Sequence, residues 1–357
     1  MTYSEDRNLL EESYSKKDDV QETHISNPLI TVLLCSHSPD YIMEATNTAI
    51  DQTLNKDAYE VIAVLDYHDP TIEEQLSKSG VFCSILPNSK WGEAMAHGIM
   101  KARGSIICFL DDDDEFDKTK LKTILSVFIL NPELIYVHNS IEVMNQNEIK
   151  PSRGNSLKTD TIFHTKPTDF AETMALAKLL TRRRLDFNAS SISVKREFIL
   201  KYVPIIMKLT TLIDSIIFYL SLETDGYIMG LSEPLTRYRL HNSMSNSLTI
   251  NAAAIEKYVF WSAQICMSLE EVLSTDINDN LRKLLEQKKS SVQLLSSLFD
   301  RKKQRIQVET AMYFLRSHLF FRPLYAILIL SFLIVKSITP SRLYYRLSQL
   351  LFKIVFV

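Results

Sequence analysis

Apolar residues along this chain fall into short unbroken runs, separated by stretches in which they recur at helical spacing. The runs are LITVLLCS (29–36), YEVIAVLD (59–66), VFCSIL (81–86), SIICFL (105–110) and LIYVHNSIEVMN (134–145). A run without alternation suits a strand covered on both faces, as in a parallel sheet. The intervening stretches predict helices near 40–53, 71–79, 92–103 and 117–130. The first of these carries Ile42, Ala45, Ala49 and Ile50 on one face. Gly104 reads as the stop of the third helix, and Asn131-Pro132 follows the end of the fourth. Strands alternating with helices over short links predict an α/β fold around a mostly parallel sheet. Residues 150–250 read as short helices mixed with loops, and 252–299 as long helices that few Gly or Pro interrupt.

The chain has 357 residues, 46% of them apolar, so a sizeable core is available and global disorder is excluded. A net charge of only -3 argues against wholesale nucleic-acid binding. The balance is uneven, however: residues 301–357 carry ten Lys and Arg against one acid, Glu309. Within them PLYAILILSFLIV (323–335) is uncharged but shorter than a spanning helix needs. With SRLYYRLSQLLFKIVFV (341–357) it reads as an interfacial anchor on an anionic membrane, or as a helical hairpin packed on the protein itself. The charged N-terminus has no apolar core of a signal peptide and reads as a flexible lead-in. Cys35, Cys83, Cys108 and Cys266 show no zinc-ligand spacing and read as reduced thiols of a cytoplasmic protein.

Ligands of open α/β sheets bind outside the carboxyl ends of the strands. Three polar groups fall at such ends: Ser36, Asp66 and the run Asp111–Asp114 in FLDDDDEFDK. Four adjacent carboxylates repel one another, so either a cationic partner sits there or the run is an acidic surface loop. Mg²⁺ and Mn²⁺ favour carboxylate oxygens and share their shell with water and phosphate, so few protein ligands suffice. Asp111 and Asp113 form a DxD pair at the end of a buried strand, with Asp114 and Glu115 helping the turn into the next helix.

From residue 29 to about 245 the chain resembles the family-2 glycosyltransferases, which have the GT-A fold. LITVLLCS resembles the family's opening strand, AIDQT (49–53) its Gln-Thr helix end, and EVIAVLD (60–66) the strand ending in the base-binding Asp. NSKWGEAMAHGIMKARGSIICFLDDDD (88–114) matches the family's central stretch without gaps. LIDSIIFYLSLETDGYIMGLSEPLTRYRLHNSMS (212–245) is similar to its acidic helix and the Pro-Leu, Tyr-Arg and His that follow. Departures fall around the base pocket: Leu65 replaces an Asp, Tyr67-His68 replace Gly-Ser, and Ser38-Pro39 replace Tyr-Asn. Ile213 and Ala96 also depart from the pattern.

The resemblance implies a GT-A (Rossmann-like) domain over 28–250, between a lead-in (1–27) and a helical extension (251–317) with a membrane-associating tail (318–357). Ser36 and Asp66 would contact the nucleotide, Asp66 through its base, with Lys90 and Asp111 in the same subsite and Asp112 at the ribose. Asp113, with Asp111 and His241, would hold a Mn²⁺ or Mg²⁺ ion, and Asp214 would be the general base. The implied function is inverting transfer of a sugar from a nucleotide-diphosphate sugar to a glycan or lipid-linked acceptor, at the inner face of the cell membrane. The other reading is a non-catalytic relative that binds a nucleotide or a partner. Trp91 reads equally as a cleft wall or as packing, and TRRR (181–184) as a phosphate guide or a solvated face. Sugar, base and acceptor are not legible in the sequence.

Overall fold

The computed structural model describes residues 28–145, 148–151, 158–165, 170–240 and 252–299. The N-terminal lead-in, His241 and the basic tail lie outside these described residues. Strands β1 (Ile30–Ser36), β2 (Tyr59–Leu65), β3 (Phe82–Ile85) and β4 (Ile106–Asp111) pair in the order β3-β2-β1-β4, all parallel. Helices α1 (Ile42–Ile50), α2 (Pro70–Lys78) and α3 (Trp91–Lys101) link them. Asp69 starts α2 by accepting the N–H groups of Thr71 and Ile72 at 3.0 and 3.1 Å, with Pro70 in the first turn.

The unbroken apolar runs have a direct cause. Successive strand residues point to opposite faces, and here both faces are covered. Leu33, Cys35, Ile62, Val64, Ile107 and Phe109 enter one apolar core, while Val32, Leu34, Val61, Ala63, Ile106 and Cys108 enter the other.

Beyond β4 come β5 (Glu115–Phe116), α4 (Lys120–Leu130), β6 (Leu134–Asn145), β7 (Glu148–Pro151), β8 (Thr161–His164), α5 (Phe170–Arg182) and β9 (Ile192–Lys195). Short helices α6 (Arg196–Leu200) and α7 (Val203–Ile206) lead to α8 (Ile213–Ser221) and β10 (Tyr227–Arg239). Strand β9 is antiparallel to both β4 and β6, and β10 is parallel to β6. Hence β1–β4, β6 and β10 share one direction, with a single reversed strand set among them. The loop leading into β9 therefore lies at the same edge as the carboxyl ends of its neighbours.

Residues 150–250 hold more sheet than the sequence reading gave them. The thirteen-residue β10 contains Gly230 and Pro234, which mask it as a loop. Its ladder with β6 shifts register on both sides of Pro234, which has no N–H to donate. Gly104 also differs from its expected role. Helix α3 ends at Lys101, and Gly104 instead passes so close to β1 that a Cβ there would lie 2.4 Å from the Thr31 nitrogen. Gly104→Ala is expected to destabilise the fold by about 1–3 kcal/mol, because backbone must move to admit the methyl group; urea titration measures it.

The last two described helices, α9 (Ala252–Leu273) and α10 (Asp279–Phe299), are the long helices expected over 252–299. Their Leu269, Val272, Leu281 and Leu285 are buried in the same core as Ile216, Phe218 and Leu220 of α8. Among the described residues no helix is long and apolar enough to cross a membrane.

Candidate active site

The carboxyl edge of the sheet carries Ser36, Asp66 and the Asp111–Asp114 run. Ser36 ends β1 and donates its hydroxyl to Asp112 Oδ2 at 2.7 Å. The same oxygen accepts the backbone N–H of His37 at 3.0 Å and of Ser38 at 3.3 Å. Ser36 and Asp112 thus form one unit. Burial raises the proton affinity of Asp112, and the Ser36 hydroxyl opposes that rise.

Asp66, just past β2, does not join this unit. Its carboxylate bonds His37 Nδ1, and the His37 ring lies 3.8 Å from the Trp91 ring, centroid to centroid. Trp91 opens α3 and is 36% exposed, so it walls the cleft rather than filling the core. His37 Nε2 is buried with no hydrogen-bond partner among the described residues. Lys90 caps α3 with its backbone, donating its N–H to Glu93 at 3.0 Å, and its side chain is exposed.

At the end of β4, Asp111 donates its N–H to Ser190 Oγ at 2.9 Å. Asp111, Asp112 and Asp113 are half-buried, and Asp114 is buried beneath them. Asp114 does more than shape the turn. It accepts the Arg239 N–H at 3.0 Å, while its Oδ2 is buried with no hydrogen-bond partner among the described residues. Burial first, then the Asp113 charge, pushes the Asp114 carboxyl up to about 7. Asp111 is likewise raised well above the usual carboxylate range, by burial and then by Asp114, Asp113 and Asp214.

Two cations support the acidic turn, and the sequence reading named neither. Arg239, the last residue of β10, donates Nε to the Asp113 carbonyl at 2.8 Å and its guanidinium to Glu44 and Glu115 at 2.7 and 3.0 Å. Lys120 is fully buried at the start of α4, bonded to Asn139 Oδ1, the Ser190 carbonyl and Thr236 Oγ1. Burial lowers its pKa to about 7. No sequence pattern distinguishes Lys120 from the exposed Lys118 and Lys122 beside it. Arg239 was in view within TRYR, but only as part of a motif.

Asp214 lies in the first turn of α8, where backbone N–H groups favour a carboxylate. Its Oδ1 accepts the Ser215 N–H at 2.7 Å, and its Oδ2 accepts the Asn188 N–H at 3.0 Å from the loop that leads into β9. Burial pushes the Asp214 carboxyl up to about 6, these two bonds hold it back, and the nearby Asp186 adds to the rise. Asp111 and Asp214 face one another closely enough to interact electrostatically. The TRRR run is partly structural: Arg183 bonds Thr161 at 3.1 Å, and Arg184 lies over the Phe187 ring at 4.0 Å.

The donor set fits a hard divalent cation. Asp111 and Asp113 offer carboxylate oxygens, and an Asp114 oxygen buried with no hydrogen-bond partner among the described residues lies below. Among the described residues no group of three or more His, Cys, Asp or Glu is placed to enclose an ion. A short protein ligand set suits an ion that completes its shell with water and phosphate.

This architecture, a mainly parallel sheet with an acidic turn at its carboxyl edge, is the GT-A fold of sugar-transferring enzymes. Residues 31–184 match the family described as Glycosyl transferase family 2, so the chain carries a family-2 glycosyltransferase domain and its class is glycosyltransferase. The fold is similar to that of Staphylococcus aureus TarS 1-349 in complex with UDP (TM-score 0.57, 15% identity, covering 91% of each chain). It is also similar to TarS 1-349 in complex with UDP-GlcNAc (TM-score 0.55, 15% identity, 90% of this chain and 91% of that one). Against S. aureus TarS in a longer form it covers 86% of this chain and 54% of that chain, at 13% identity and a TM-score of 0.52. No curated protein matches the chain by sequence.

Proposed function

We propose that the chain transfers a sugar, with inversion, from a nucleotide-diphosphate sugar to a hydroxyl of a glycan or lipid-linked acceptor. The observation that carries this reading is the placement of Asp214. A carboxylate with its pKa raised to about 6 sits beside the acidic turn, at the edge where GT-A sheets take their ligands. An acceptor hydroxyl has a pKa far above neutrality and needs a base within hydrogen-bond reach as it attacks. Asp214 takes that proton while the acceptor oxygen bonds to the anomeric carbon. The bond from that carbon to the diphosphate breaks, and its electron pair leaves with the diphosphate. One base opposite the leaving group gives a single displacement and inversion, as in inverting hydrolysis.

Asp113 and Asp111 would hold the divalent cation, with His241, which lies outside the described residues, as a further ligand. When bound, Mn²⁺ or Mg²⁺ neutralises the charge that develops on the leaving diphosphate. Ser36 and Asp112 face the ribose, Asp66 the base, and Lys90 the nucleotide. His37 must release Asp66 before a base can take its place, with Trp91 as the wall against which the base stacks. Residues 28–250 would form the transferase domain. The tail over 318–357, basic and apolar, would hold it at the inner face of the cell membrane.

A thermal-shift panel of nucleotide sugars, each with and without Mn²⁺, tests donor and cation together. The expected result is a Mn²⁺-dependent rise in melting temperature for one donor, with uridine nucleotides examined first because the TarS structures hold UDP and UDP-GlcNAc. A panel with no Mn²⁺-dependent shift would overturn the reading.

A further inference from the structure

Asp186 and Asp214 lie close enough to interact electrostatically, and Asp111 acts on Asp214 from β4. Carboxylates grouped in this way call for a counter-charge. It comes from the helical extension. Lys288, on α10, has a side chain only 25% exposed and reaches inward. Its ammonium donates to the Tyr219 hydroxyl at 2.7 Å and lies 4.6 Å from the centre of that ring. The same ammonium is 3.9 Å from Asp186 Oδ2, a side chain 13% exposed. Asp186 is itself fixed to α8, because Ser215 Oγ donates to its carbonyl at 3.0 Å. The hairpin that carries the lysine is pinned in turn. Lys289 meets Glu270 at 2.9 Å across α9 and α10, and Glu223, after α8, accepts the Asn278 N–H at 3.0 Å.

From this arrangement we infer that Lys288 is a positioning residue for the candidate base: it holds Asp186 and the start of α8 in place and faces Asp214 with a positive charge. The inference rests on the proposed role of Asp214 and extends the reaction centre into the C-terminal helices, beyond the family-matched residues 31–184. Among the described residues, the charges that act on Asp214 are Asp111 on β4, Asp186 in the loop before β9 and Lys288 on α10, while burial keeps the nearby Tyr136 phenol on β6 neutral. Lys288 supplies the positive one, and Arg184 acts on Asp186. Burial works against the charge of Lys288, but Tyr219 and Asp186 outweigh it and its pKa is raised, so the lysine stays charged at neutral pH.

The test reads the proton affinity of Asp214 without any substrate. The full chain and its Asp214→Asn variant are unfolded in urea from pH 4.5 to 8.5. A carboxyl raised in the folded state loses stability as pH climbs from its unfolded value through its folded one, so the advantage of Asn grows across that window and levels off above about 6. In a Lys288→Met background the levelling-off is expected to move up by about half a unit or more. Lys288→Gln, which keeps a hydrogen bond to Tyr219 without the charge, should do the same. Lys288→Arg should restore the original position, and Asp186→Asn should move it down. Glu270→Gln, which weakens only the hairpin surface, should leave it in place. An unmoved profile in the neutral Lys288 variants overturns the inference, as does an upward shift in Asp186→Asn. Turnover of Asp214→Asn is measured separately, so failure of the base assignment is distinguishable from failure of the lysine's role.

Discussion

Asp214→Asn is expected to retain donor and cation binding and to lose transfer by about 10²–10⁴-fold, the usual contribution of a general base. The amide keeps the size and the acceptor oxygen of the carboxylate, so it can still take an N–H bond from Ser215 or Asn188. It cannot take the acceptor's proton. The sign of a second effect is opposite. Holding a buried carboxylate whose pKa is raised to about 6 costs stability at any pH above that value. The variant should therefore be more stable than the parent at pH 8, by roughly 3 kcal/mol, and about equal to it near pH 4. For the parent, activity should rise through pH 6 and then flatten on the alkaline side, as the base sheds its proton. A variant that is dead, tightly binding and more stable is the signature of a removed base; near-normal turnover would sink the assignment.

Asp113→Ala carries the next largest effect. It removes a carboxylate that its neighbours are poorly placed to replace, since Asp114 is buried below the turn and Asp112 is bound to Ser36. Mn²⁺-dependent nucleotide binding should disappear, and transfer should fall by on the order of a hundredfold or more. Isothermal titration with the nucleotide, in Mn²⁺ and in chelator, separates the two contributions: the parent's affinity should drop in chelator, and the variant's should be low in both. Undiminished Mn²⁺-dependent binding by the variant would remove the metal role from this residue.

How much of this was legible beforehand follows from what each residue contacts. The strands β1, β2, β4 and β6 were readable because both faces of the sheet are covered, which leaves unbroken apolar runs. The aspartates and Asp214 stood out as candidates because their spacing resembles a family pattern. Strand β10 was hidden by Pro234 and Gly230, residues that usually mark loops. Lys120 was hidden for a different reason. It has the sequence neighbourhood of a solvated helix start, and only the three-dimensional convergence of Asn139, Ser190 and Thr236 gives it a buried place. His37 and Lys288 share that difficulty: each acts on an aspartate far away in the chain, and local spacing holds no trace of such a contact.

The reversed strand has a consequence for how the chain is made. Strand β9 belongs between β4 and β6, yet it is synthesised after both of them. Until residue 195 has left the ribosome, β4 and β6 each present a row of unpaired backbone groups on the side that β9 will fill. The nascent chain thus carries two open flanks through the synthesis of β7, β8 and α5, and a single short strand closes both at once. Four residues, Ile192–Lys195, thus cover two strand edges at once, and a chain without them would leave both edges open to pairing with another chain.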